Sequence, residues 1–149
     1  TRSCSSAASD VYKRQGIPIA FASQDNLSLI TWVIFLANFL WVIAYDTVYG
    51  MIDAADDEKL NIGNSARYFG RRKEKWVFLL GLAHLFIYFF VGLSLNLELS
   101  FFFFLSLCFG IVFFQNFQIN LGLRQIYLSI FKGNNWIGVF LFFGILFGY

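Results

Sequence analysis

The feature that most constrains this chain is the length of its apolar blocks. Four of them, at 27–52, 75–95, 101–117 and 136–149, stand between short polar segments, and most are near the roughly 20 residues a helix needs to cross a bilayer core. The chain is 58% hydrophobic and 21% aromatic, with 21 Phe, and only 13% charged, whereas a soluble domain is about half apolar and a quarter charged. The expected class is all-α, a polytopic transmembrane bundle of about four spans with the lipid bilayer as its medium. The net charge of +2 is too small to suggest nucleic acid as a partner. Cys4 and Cys108 have no spacing that reads as a disulfide framework or a metal site.

Residues 1–15 stand apart. Ser5 to Gln15 (SSAASDVYKRQ) resembles the in-frame translation of a transposase-type sequencing-library adapter, and it lacks the apolar stretch of a signal peptide. The expectation is that 1–15 is not native, that coding sequence begins at Gly16, and that the natural protein extends upstream. Residues 16–149 then form one membrane domain, part of a larger bundle.

The first span is expected over 27–52, the second from Lys75 or Trp76 to Leu95, and the third over 101–117, continuing as a more polar helix through Arg124 to Phe131. The fourth runs from Trp136 to Tyr149, which makes 96–100 and 132–135 the tight connections and 53–74 the one substantial polar loop. Outside the adapter the bases are Lys59, Arg67, Arg71, Arg72, Lys73, Lys75, Arg124 and Lys132. Cytoplasmic flanks of spans are enriched in Lys and Arg, and an even alternation of spans places all of these on one side. The 53–74 loop and the 118–134 region are therefore expected to be cytoplasmic. Trp32, Trp76 and Trp136 sit toward expected span ends, as interfacial aromatics do, with Trp41 deep enough to pack.

Chemistry concentrates in the stretch from Ala44 to Lys59 (AYDTVYGMIDAADDEK), where five acids fall within thirteen residues. At about 100° per residue, Asp46, Asp53 and Asp57 lie within roughly 40° of their neighbours on one helix face, with Tyr49 at its edge and Gly50 leaving it open. Asp56 points away, and with Glu58 it is read as solvated. Asp46 precedes Met51 and Ile52 within the apolar run, and an intramembrane acid is a functional-site hypothesis by default. Such a stripe needs a cation, and Mg²⁺ takes one or two carboxylates plus phosphate oxygens. A diphosphate-bearing substrate completes that set.

These residues carry a family resemblance. Tyr45-Asp46-Thr47, the Asp53-x-x-x-Asp57 pair, Lys59 and the stretch from Ser65 to Gly70 resemble the second aspartate-rich motif of UbiA prenyltransferases. Gly16-Ile17-Pro18, Leu36 to Trp41, and Asn134-Asn135-Trp136-Ile137-Gly138 look like the 4-hydroxybenzoate branch, so the resemblance spans 16–149 and corresponds to the family's C-terminal half. It implies a polyprenyl diphosphate donor, an aromatic acid acceptor such as 4-hydroxybenzoate, Mg²⁺ as cofactor, a place in ubiquinone biosynthesis and a bacterial plasma-membrane location. It implies further that Asp53 and Asp57 hold metal and diphosphate, that Asp46 is a deeper acid, and that Lys59, Tyr49 and Arg124 contact substrate. The family's first motif, NDxxDxxxD, is absent from these residues, so this chain alone is expected to be inactive. The loop after Lys59, with Gly63 and Asn64, also departs from the family pattern. Relatives acting on naphthoate, homogentisate or haem, a transporter, and a non-catalytic membrane protein are the competing readings.

Three other features fall short of a site. His84, the one histidine, is expected to bond a neighbouring helix. Gln115, Asn116, Gln118 and Asn120 suit either interhelical bonding or a cavity rim. Cys108 and Phe101 to Phe104 read as packing and lipid contact.

Overall fold

A computed structural model of the chain describes residues 16–23, 28–54 and 64–149. A short α1 (Gly16–Ala22) precedes α2 (Leu29–Ile52); α3 (Ser65–Phe69) passes through a 3₁₀ turn (Gly70–Arg72) into α4 (Lys73–Ser94), followed by α5 (Leu99–Ile119) and α6 (Arg124–Gly148). Four stretches are long and apolar enough to cross a membrane: Leu29–Ile52, Ser65–Ser94, Leu99–Ile119 and Arg124–Gly148. The chain is thus an all-helical integral membrane protein. Residues 1–15, and with them the adapter expectation, lie outside the described residues.

The spans form a ring. α2 packs most extensively on α4 and α5 on α6, while α4 against α5 and α2 against α6 close the circuit. Short connections force sequential neighbours antiparallel. At 95–98 the chain leaves α4 through Asn96 in the left-handed region (φ 52°), where Asn is tolerated. Leu97 N–H donates to Gly92 O and Asn96 N–H to Leu93 O, which satisfies carbonyls the helix end would otherwise strand. The same turn closes α6: Glu98 N–H donates to Gly148 O and Ser100 Oγ to Phe147 O at 2.6 Å.

The second half of the chain differs from its sequence expectation. α5 ends at Ile119 and the connection falls at 120–123, where Gly122 takes φ +71°; the polar residues 124–131 open α6 rather than extend α5. Residues 132–135 are therefore not a connection but lie within α6, with Asn134 buried. Of the polar residues there only Asn134 serves the bundle interior, while Lys132 and Asn135 are exposed on the helix surface. Trp136 is displaced likewise, since it stands mid-helix and exposed rather than at a span end. All the described bases that were placed on one side still lie toward one end of the bundle, around the loop after α2, the start of α4 and the start of α6.

Two apolar clusters hold the ring together. One, at the loop end, joins Val48, Met51 and Ile52 of α2 to Ala66 of α3, Ile119 of α5, and Tyr127 and Ile130 of α6. The other joins Leu85 of α4 to Phe101, Leu105, Cys108 and Val112 of α5 and to Ile137 and Leu141 of α6. Phe101, 1% exposed, anchors the second. A Cβ on Gly92 would lie 2.4 Å from its ring and a Cβ on Gly148 2.7 Å from its own Cβ, so the ring occupies space that two glycines leave. Small residues let helices approach closely in membranes, where packing replaces the hydrophobic drive. His84, 3% exposed, adds the expected interhelical bond: its Nδ1 lies 2.9 Å from Ala37 O of α2, and its ring stacks on Trp41 at 5.8 Å.

Gly92→Ala is expected to destabilise the bundle by about 1–3 kcal/mol through overpacking against Phe101. Gly110→Ala, where a Cβ meets nothing within 4 Å, should be neutral or slightly stabilising because Ala is the better helix former. Denaturant unfolding in mixed micelles followed by circular dichroism measures both.

Candidate active site

α2 presents two unlike faces. Ala44, Val48 and Met51 are buried in the bundle, and Asp46 and Asp53 lie about 140–180° around the helix from them. Both acids are half-buried and Tyr49, between them, is 51% exposed. The acid face is thus turned away from the buried packing face of α2, and Tyr49 meets Phe131 of α6 at its edge. The regular helix ends at Ile52, and Asp53 is its C-cap, with its N–H donated to Tyr49 O at 3.2 Å.

Of the residues singled out from sequence, Asp46, Tyr49 and Asp53 share this face. Asp57 and Lys59 lie outside the described residues. Arg124 is the exposed first residue of α6, at the end of the bundle where α2 finishes. Among the described residues no group of three or more His, Cys, Asp or Glu could hold a metal ion. Asp46 and Asp53 stand about 10 Å apart by the helical rise, so one ion could meet only one of them, and Mg²⁺ accepts one or two carboxylates once phosphate supplies further oxygens.

The return of the chain after the acids is pinned to α2. Thr47 Oγ1 donates to Ile43 O at 2.6 Å and meets Ser65 Oγ at 2.9 Å. Asn64 caps α3 by accepting from Arg67 N–H at 2.8 Å. Gly50 does not leave the acid face open, as the sequence suggests; it is buried, and a Cβ there would lie 3.1 Å from Asn64 Cγ and 3.3 Å from Ala66 Cβ. Its missing side chain is where α3 and its cap settle.

Two parts of the site went unread in the sequence. Tyr45 and Tyr49 of α2 both pack on Phe131 of α6, at 4.2 Å and 5.4 Å between ring centroids, and Trp41 lies 5.9 Å from Tyr45. This is an aromatic wall beside the acid face. The i, i+4 spacing of Trp41, Tyr45 and Tyr49 signals a stripe, but its partner on α6 is a tertiary fact. Second, a cleft of about 420 Å³ beyond the end of α2 is lined by Ala54 and Asn64 and by the cations of Arg67, Arg71 and Lys73. The sequence reading used these bases only for orientation. The cleft therefore begins at Ala54, the residue after Asp53.

An all-helical membrane bundle with such an acid face agrees with the sequence comparison: residues 16–125 match the UbiA prenyltransferase family, and the chain belongs to it. Similar proteins include the 4-hydroxybenzoate octaprenyltransferase of Tolumonas auensis, 37% identical over 131 residues, and that of Aeromonas salmonicida, 38% identical over 134. The aligned regions cover 87% and 89% of this chain but 46% of each relative, so the chain spans about half the length of the curated relatives it matches. No solved structure matches.

Thr47→Val should remove the tie to Ser65 at a cost of about 1 kcal/mol and loosen the return segment. Limited tryptic cleavage after Arg67, Arg71 and Arg72 is expected to run several-fold faster than in the parent chain, with α4 to α6 still protected.

Proposed function

We propose that the chain is the C-terminal part, residues 16–149, of an enzyme that transfers a polyprenyl group from its diphosphate to an aromatic acid, 4-hydroxybenzoate, in ubiquinone biosynthesis, and that residues 1–15 are not native. The observation that carries this reading is the acid face of α2, opposite the helix's buried packing face and ending beside a cleft of bases. An acid face in a membrane protein is costly unless it meets cations or water, and a metal diphosphate supplies the cation. The names of the similar proteins, each called a 4-hydroxybenzoate octaprenyltransferase, support the choice of donor and acceptor classes.

In this reading Asp53 and Asp57 hold Mg²⁺ and, through it, the diphosphate. Bound there, the metal would act as a Lewis acid that stabilises the leaving group's charge. Lys59, Arg67 and Arg71 add cationic groups where that charge develops in the transition state. The allylic carbon–oxygen bond breaks with its electron pair leaving on the diphosphate, and a ring carbon of the acceptor forms the new carbon–carbon bond. The proton displaced from that carbon needs a base, and this reading gives that role to Asp46, about 10 Å deeper along α2 than Asp53 by the helical rise. Tyr49 borders the reacting centre and Arg124 pairs with the acceptor's carboxylate. Tyr45 and Phe131 form the wall that keeps water from the electron-deficient prenyl carbon. The excess of bases at this end supports a cytoplasmic mouth in a bacterial plasma membrane.

The test uses the frame completed from genomic DNA upstream of the Gly16 codon. Asp46→Asn, Asp53→Asn and Asp57→Asn should each reduce prenyl transfer in isolated membranes by about 100-fold or more, in the range seen for loss of a single transition-state contact, with unchanged protein level. Full activity in all three variants would remove the acid face from the mechanism.

A further inference from the structure

Between the two apolar clusters the interior of the helix ring contains a cavity of about 30 Å³, room for roughly two water-sized particles. Four polar side chains line it: Glu74 from the first turn of α4, Gln115 and Asn116 from the end of α5, and Asn134 from the middle of α6, with Trp41 of α2 as an aromatic wall. Asn134 is 6% exposed, and its side chain makes no hydrogen bond to any described residue. Nor does that of Gln115, while Asn116 is bonded through its backbone carbonyl, by Asn120 Nδ2 at 2.8 Å. Gln115 and Asn116, which sequence alone left between interhelical bonding and a cavity rim, are rim. A buried amide without a partner is costly; Asn134 is one, and the partly exposed Glu74, Gln115 and Asn116 converge on it from the two neighbouring helices, a set that suits an occupant.

The chemistry of the lining selects it. One carboxylate and three amides present hard oxygen acceptors with a single formal negative charge. Lys73 and Lys75 neighbour Glu74 in sequence, but residues one apart on a helix do not face each other. A divalent ion would keep an uncompensated charge in a poorly solvated interior. It would also prefer more carboxylates or its own water shell. We infer that this cavity is a site for one small monovalent cation of sodium's size, held by the Glu74 carboxylate and the amide oxygens of Gln115, Asn116 and Asn134. The site braces α4, α5 and α6. It lies on the Trp41 and Ala44 side of α2, across the helix from Asp46 and Asp53, and does not depend on the prenyl-transfer reading.

Thermal unfolding of the full chain in detergent micelles, with sodium chloride replacing choline chloride at constant ionic strength, tests this. Sodium is expected to raise Tm saturably by about 2–6 °C, the size a ligand specific for the folded state produces, and potassium by less. The rise should vanish in Glu74→Gln and shrink in Asn134→Ala, yet persist in Glu98→Gln, a carboxylate remote from the cavity. Equal Tm in sodium and choline would overturn the proposal in favour of water alone, as would a sodium effect undiminished in both Glu74→Gln and Asn134→Ala. Should Glu74→Gln fail to fold, Asn134→Ala and Gln115→Leu carry the same decision.

Discussion

The hydrocarbon core offers no hydrogen-bond partner to a peptide group, so each span must satisfy its own backbone as a helix. The rest of the architecture follows from that demand. Polar groups are displaced to three places: the turns, the span ends and the bundle interior. At the 95–98 turn Asn96 folds the chain back so that Leu97 and Asn96 recover the carbonyls of Gly92 and Leu93, and Glu98 and Ser100 do the same for the end of α6. At the opposite end of α2 the demand relaxes, and there the acids and bases gather.

This division made the spans legible in sequence. Block length located α2, α4 and most of α5 to within a few residues, and the pattern of bases follows one end of the bundle. The boundary between α5 and α6 was not legible. Gly133, Asn134 and Asn135 are turn formers by local chemistry, and nothing in their order says that Asn134 points inward to a cavity where amides have a role. Gly122 was the true signal, a glycine at a positive φ, but it stands in an otherwise ordinary polar stretch. Within the site, helical arithmetic put Asp46, Tyr49 and Asp53 on one face. It could not show that Asp53 ends α2 as a cap, nor that Phe131, more than eighty residues away, closes on Tyr45 and Tyr49.

α2 therefore does two jobs with one periodicity. Ala44, Val48 and Met51 give it a packing face, and Asp46, Tyr49 and Asp53 give it a chemical one. Thr47 and Gly50 receive the returning chain through a hydroxyl pair and through the absence of a side chain. Position along this helix is therefore less informative than angle around it: Thr47 adjoins Asp46 in sequence yet is fully buried, while Asp46 remains half open.

The lodging of Phe101 between Gly92 and Gly148 has a mechanical side. It rivets one end of the bundle with rigid atoms, far from the loop end. The polar cavity interrupts the apolar packing between these ends. A change in helix spacing therefore costs most at the Phe101 end, where close-packed atoms leave no slack.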